Sequence, residues 1–294
     1  MVKLVDGVLY DGDKRFTGVL NYSIDDADYH GEFKVGLRDG KGMMLYSDNK
    51  IFEGQWKCGK REGKGRLTHR NTVVYEGLYK DDLLHGLGKS NTAEGIYEGA
   101  FKSGKKHGEG TMRYFNGEVY SGEWGDDKWH YLGKLTTRNN DVLEGHFVEG
   151  KKHGLFNCTY HNGNVYLGNF ENDCISGTGK LTTPSGSCYE GQWVNGLRHG
   201  LGGMRYANGV EYSGRWENGQ KNGMGDLKYP NGGTFGCEWR NNERHGVGKH
   251  TYISGASYRS EFVSNVKHGR CDYTAADGTL YKCLYENGKL VSYQ

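Results

Sequence analysis

Histidine recurs along this chain at intervals of 22 or 23 residues or twice 23, at His85, His107, His130, His153, His199, His245 and His268. Imidazoles in a row are the raw material of a metal site, and zinc holds its ligands about 2.0–2.3 Å away. Equivalent residues of neighbouring β-hairpins lie about 9.5 Å apart, so two of these histidines cannot share an ion. The row is read as structural, and no metal is expected. Glycines accompany it in Gly-x-Gly triplets such as Gly108-Glu109-Gly110, which resemble a phosphate cradle. The alternation described below instead places Gly99, Gly108 and Gly110 inside strands, beneath aromatic rings. Carboxylates are spread evenly and no Ser-His-Asp or Cys-His grouping stands out, so neither catalysis nor a cofactor is expected.

Two further side-chain sets could do chemistry. Lys60, Arg61, Lys105, Lys106, Lys151, Lys152, Arg198, Lys221, Arg244 and Lys267 lie in Gly-bounded stretches that read as loops along one edge. Each could contribute about 1 kcal/mol near an anionic lipid surface. The competing reading is a solvated edge whose lysines prevent aggregation of an extended sheet. Seven cysteines, Cys58, Cys158, Cys174, Cys188, Cys237, Cys271 and Cys283, form no Cys-x-x-Cys pair and read as reduced thiols of a cytosolic protein. The 38 Lys+Arg against 36 Asp+Glu leave a net charge of +2, without the strongly basic balance of a nucleic-acid binder. No apolar run is long enough for a transmembrane helix, and the opening MVKLVDGVLY does not read as a signal peptide.

All these residues are carried by one repeat. An aromatic or apolar residue opens it at Tyr29, Phe52, Tyr75, Tyr97, Tyr120, Leu143, Tyr166, Tyr189, Tyr212, Phe235, Tyr258 and Tyr281. Successive starts are 23 residues apart, except for 22 between Tyr75 and Tyr97. A fixed period in this range marks a repeat architecture, in which each element contacts chiefly its neighbours. Eleven repeats are expected over 29–280, a degenerate capping repeat over 1–28, and a half-repeat cap over 281–294. In the first cap, Tyr10 and Gly12 imitate the opening, and Gly18, Leu20 and Tyr22 the second half.

With the opening residue as position 1, positions 1, 3 and 5 share one strand face and positions 2 and 4 the other. Position 5 is aromatic throughout, as at Phe101, Trp124, Trp193, Trp216 and Trp239. Positions 12, 14, 16 and 18 read as the inner face of a second strand, as in Gly200, Gly202, Met204 and Tyr206. Asn-Gly pairs such as Asn116-Gly117 then supply type I′ turns between repeats. The expectation is an all-β, single-layer antiparallel meander of stacked hairpins, elongated over about 110 Å at about 4.75 Å per strand. Rings lying over bare glycine backbone would form a thin core on one face, each contributing about 1.5–3 kcal/mol.

Two stretches depart from the pattern. Asp127 replaces a loop glycine, Trp129 enters the loop, Tyr131 replaces the position-12 glycine, Leu143 opens a repeat and Phe156 replaces a position-14 glycine. Either the face is locally filled, which is the preferred reading, or an aromatic patch is offered to a partner. Towards the C-terminus Cys237, Ser260 and Cys283 replace position-3 glycines and Cys271 a position-14 glycine, as a cap or an association surface.

The sequences YEGQWVNGLRHGLGGMRY at 189–206 and YEGAFKSGKKHGEGTMRY at 97–114 resemble the MORN (membrane occupation and recognition nexus) repeat, over 29–290. That resemblance implies a twisted single-layer sheet with an aromatic groove. It also implies a non-enzymatic scaffold in ciliary, flagellar or cortical cytoskeletal assemblies, and in some members acidic-lipid binding. It further implies homodimerisation through the C-terminal repeats. On this reading a partner peptide or helix lies along Tyr97, Phe101, Trp124, Trp129, Tyr131, Phe156, Trp193, Trp216 and Trp239. The alternative is a peripheral membrane protein that binds acidic phospholipids through the basic loops.

Overall fold

A two-residue turn with positive φ at both residues bends the middle of each repeat. Ser103 and Gly104 have φ of 52° and 85°, Asn172 and Asp173 48° and 72°, Asn195 and Gly196 49° and 77°. These are the type I′ turns, matched to the right-handed twist of the flanking strands. They occupy positions 7 and 8 and not the Asn-Gly pairs between repeats. At Asn116-Gly117 only the glycine has positive φ, 95°. There the Gly117 N–H donates to the Tyr114 carbonyl (3.0 Å), and the Glu118 N–H donates to Asn116 Oδ1 (2.9 Å). That is a type I turn closed by a left-handed glycine, which spans one residue more than a type I′ loop.

The computed structural model describes residues 1–24 and 26–293; Asp25 and Gln294, which fall within the two expected caps, lie outside them. Among the described residues there are 28 strands and no helix, from β1 (Val2–Val5) to β28 (Lys289–Tyr293). From β4 (Gly18–Ile24) onward the strands follow one another in sequence order as an antiparallel meander that is not closed into a barrel. The basic stretches expected as loops are the first residues of second strands, as in β12 (Lys105–Tyr114) and β20 (Leu197–Arg205).

Register explains the glycines. Between β11 (Gly95–Lys102) and β12, Tyr97 faces Met112, Gly99 faces Gly110 and Phe101 faces Lys106, with a bulge between the last two pairs. Gly108 sits in that bulge at φ 71°. A Cβ there would meet the outward side chain of Ala100 and no ring. Position 12 is therefore glycine for its backbone conformation, which corrects its expected place beneath a ring. Positions 3 and 14 do lie beneath rings: a Cβ on Gly110 would approach Tyr97 Oη to 2.2 Å.

Contacts divide the chain into two compact parts, Met1–Asn140 with Phe147–Gly150, and Asp141–His146 with the residues from Lys151 onward. In the first part, β1, β2 (Val8–Asp11) and β3 (Lys14–Arg15) form a separate small sheet. Tyr10 thus does not open a strand of the meander. Gly18, Leu20 and Tyr22 lie on β4, facing Phe33, Gly31 and Tyr29. The Gly36 N–H donates to the Phe16 carbonyl (2.6 Å) and the Leu9 N–H to the Gly36 carbonyl (2.8 Å), fastening the small sheet to the type I′ turn at Val35-Gly36. The second part ends with β27 (Leu280–Glu286) paired to β28.

Candidate partner-binding surface

Rings from positions 1 and 5 alternate in edge-to-face contact. In the first part Tyr97 meets Phe101 at 5.0 Å and Trp124 at 5.2 Å. In the second part Tyr189 meets Trp193 at 5.1 Å and Trp216 at 5.3 Å. Polar atoms at the ring ends complete the arrangement. The position-1 hydroxyl donates to the position-4 carbonyl at the bulge, as Tyr97 to Ala100 (2.9 Å) and Tyr189 to Gln192 (2.9 Å). Each position-5 indole donates to the position-14 carbonyl of the preceding repeat. This occurs at Trp56, Trp124, Trp193, Trp216 and Trp239, over 2.9–3.3 Å. Burial pushes the Tyr166 and Tyr189 hydroxyls up to about 12. Tyr97, Phe101, Trp124, Phe156, Trp193, Trp216 and Trp239 are all buried, none more than 6% exposed. They are places in a packed core and present little surface to a groove.

Position-10 cations cover these rings. Arg198 lies 4.4 Å from the Trp216 ring, Lys106 4.7 Å from Trp124 and Lys221 4.6 Å from Trp239. Arg61, Lys152, Arg244 and Lys267 repeat the contact on Tyr79, Phe170, Phe262 and Tyr285 at 5.0–5.8 Å. Of the basic set, only the position-9 residues Lys60, Lys105 and Lys151 project into solvent. Lys60 meets Asp81 of the next repeat at 3.1 Å and Lys105 meets Asp126 at 3.9 Å. Turns clip neighbouring repeats together: the Gly219 N–H donates to the Arg198 carbonyl (2.9 Å), and the Lys106 N–H donates to Asp127 Oδ1 (2.9 Å). Asp127 is thus a clip of the same kind as Asp82 and Asp173.

Trp129 takes the position-10 place of the missing cation. It stacks on Tyr120 at 4.7 Å and 9°, meets Phe147 edge-on at 5.6 Å, and donates from Nε1 to Tyr114 Oη (3.1 Å). Leu143 and Phe156 form a complementary exchange in the second part. Leu143 brings no ring, and Phe156 supplies one from the opposite strand, so that a Cβ on Gly145 would meet the Phe156 ring at 2.5 Å. Cys237, Ser260 and Cys271 are buried on the same face, and Cys283 is half-buried. None of the four is a prominent surface group.

Tyr131 behaves differently. It keeps the bulge conformation at φ 49°, where the ten other repeats have glycine. Its side chain is 54% exposed, and neighbouring Leu132 is 66% exposed. Leu132 heads position 13, which is apolar and exposed also at Leu87, and in the second part at Leu155, Leu201, Met224 and Val247. These residues stand on the face opposite the rings. Reading by alternation missed them because a lone apolar residue on a polar face carries no periodic signal; only their common position 13 could have revealed them. The position-11 histidines lie beside the bulge, with His107 Nδ1 3.8 Å from Asp126. Among the described residues no three His, Cys, Asp or Glu side chains converge as a metal site.

The MORN repeat family model matches residues 29–51, 52–72, 75–90, 97–119, 120–142, 144–165, 166–188, 189–211, 212–234, 238–257 and 258–280. No curated protein sequence matches the chain. Among solved structures, the wild-type TCP10 domain of Danio rerio CPAP is 10% identical with a TM-score of 0.37, over 71% of this chain and 94% of that one. The Drosophila melanogaster SAS-4 (dCPAP) TCP domain, solved with a proline-rich motif of Ana2, is 13% identical with a TM-score of 0.35, over 58% of this chain and 87% of that one.

Proposed function

The chain belongs to the MORN repeat family, and from that premise we propose that it is a non-enzymatic scaffold that binds partner proteins. Tyr131 carries the reading. A bulky residue in the left-handed region costs about 1–2 kcal/mol, and at this position the rest of the chain uses glycine. The Tyr131 ring meets His130 edge-on at 4.4 Å yet leaves more than half of its surface to solvent, and backbone strain of this kind clusters at functional sites. Tyr131 and Leu132 together offer an aromatic and an apolar side chain to solvent, the residue types that anchor interfaces. The occupant in this reading is a protein segment, held in a ciliary, flagellar or cortical cytoskeletal assembly. Acidic-lipid binding through the basic edge is less favoured. Most of its cations lie on rings, and Lys60 and Lys105 face acids.

The test is proximity labelling in cells with the parent chain and with Tyr131→Gly. Loss of specific labelled partners, with an unchanged or raised melting temperature, supports the reading. An identical set of partners at identical yield overturns it.

A further inference from the structure

Among the described residues Cys271 and Cys283 are the two cysteines that face each other in strand register, on β26 (Val266–Thr274) and β27. They occupy positions 14 and 3, which are glycine in nearly every other repeat. Tyr258 opens the repeat that holds Cys271, and the bare backbone such a ring covers elsewhere is filled here by Cys271 and Ser260. The Tyr258 ring stacks instead on His250 at 5.2 Å and 6°. Burial pushes the Cys271 thiol up, and the Ser260 and Cys283 side chains are among the groups that act on it. Both cysteines are free. Lys267 places its ammonium group 3.6 Å from the Tyr258 ring and 5.0 Å from the Tyr285 ring, where its charge acts on both sulfurs.

Directly opposed residues of antiparallel strands have Cβ atoms about 4.5–5.5 Å apart. A disulfide needs Cα atoms about 4.4–6.8 Å and Cβ atoms about 3.5–4.5 Å apart, so a small approach of the two strands suffices. We propose that Cys271 and Cys283 form a dithiol site for thiol–disulfide exchange with small-molecule disulfides of the glutathione class, closing a covalent bridge between β26 and β27. The order of events follows from exposure. Cys283, half-buried, attacks first as the thiolate, having lost its proton to solvent. Its sulfur bonds to one sulfur of the small disulfide, and the other leaves as a thiolate that takes up a proton. Cys271, buried and with its thiol pushed up by that burial, then loses its proton and attacks the Cys283 sulfur of the mixed disulfide, expelling the second small thiol. Two protein thiols are oxidised and one small disulfide is reduced to two thiols. The bridge ties the last hairpin, whose β28 pairs with β27, to the strand before it.

The experiment uses the full chain with the exposed Cys58 and Cys174 replaced by serine, which leaves five of the seven cysteines. Oxidised glutathione is the probe, and thiols are counted after acid quench and denaturation. The expected result is a fall from five thiols to three and a chain lighter by two hydrogens. Proteolysis then yields a peptide pair joined through Cys271 and Cys283, and dithiothreitol restores all five thiols. Adding Cys271→Ser should halt the reaction at a glutathione adduct on Cys283, and adding Cys283→Ser should leave Cys271 unmodified. A stable adduct on Cys283 with Cys271 present, a bridge between other cysteines, or an adduct on Cys271 in the Cys283→Ser chain would each overturn the proposal.

Discussion

The repeat that opens at Tyr189 and the one that opens at Leu143 solve one packing problem with rings from opposite strands. In the first, Tyr189 lies over Gly191 and Gly202 and anchors its hydroxyl on the Gln192 carbonyl. In the second, Leu143 leaves the space and Phe156, from the partner strand, fills it over Gly145. What the fold requires at this place is one ring over one bare backbone, whichever strand supplies it. The same lesson covers position 10, where Trp129 stands in for a cation. It does not cover Tyr131, which replaces a glycine needed for its φ and stands 54% exposed against the His130 ring.

The largest expected effect breaks the regular side of this comparison. Gly202→Val places side-chain atoms where the Tyr189 ring lies, with a Cβ already 2.4 Å from its hydroxyl. We expect the second part to lose its cooperative thermal transition. Trp216→Ala should cost about 3–5 kcal/mol, as large-to-small core changes do, read from chemical denaturation.

Exchange of rings sharpens the comparison. Phe156→Gly alone should destabilise by a comparable about 3–5 kcal/mol. Combining it with Leu143→Tyr rebuilds the regular arrangement and should recover most of that loss. A double variant no more stable than Phe156→Gly would show that the two residues are not a compensating pair.

Alkaline titration tests the buried hydroxyls on the regular side. Tyr166 and Tyr189 stay protonated in the fold up to about 12, whereas the unfolded chain loses these protons near 10. The unfolded state therefore binds fewer protons above that pH, and stability falls as pH rises from about 10 towards 12. Melting temperature across this range should drop, with tyrosinate absorbance from these residues rising only as the chain unfolds.

Smaller effects belong to the covers and to the strained residue. Arg198→Ala should cost about 1 kcal/mol, within the range for a partly desolvated cation on a ring, and Arg198→Lys less. Tyr131→Gly should stabilise by about 1–2 kcal/mol by relieving the left-handed backbone, while lowering partner capture. Leu201→Lys on the opposite face should alter stability by no more than about 0.5 kcal/mol, and denaturation midpoints should show this directly.

Repetition makes the architecture readable in the sequence. The period of 23 residues, the alternating rings and the bare glycines at positions 3 and 14 are local and recur many times, so strands, faces and core rings followed from them. Turn chemistry is less legible. Asn-Gly is the stronger textual signal, yet the type I′ turns fell at pairs as varied as Ser103-Gly104, Asn172-Asp173 and Asp126-Asp127. No single dipeptide marks them, and their φ values are fixed by hairpin register. The candidate surface was read less well, because charge and aromaticity say nothing of what lies on top of a side chain. Arg198 reads as an edge cation and is a lid on Trp216; Trp193 reads equally as groove lining and as core, and it is buried.

By itself the sequence determined the strand order, the buried face and the residue type at each recurring place, because all three depend on near neighbours and a period. Tertiary structure decided the rest. It set the two-residue mismatch between the paired strands that forces a bulge, and so gave position 12 its glycines and Tyr131 its strain. It also brought position 10 of one repeat onto position 5 of the next, and Cys271 opposite Cys283. Those contacts depend on register between strands, a property of paired backbones that no single strand contains.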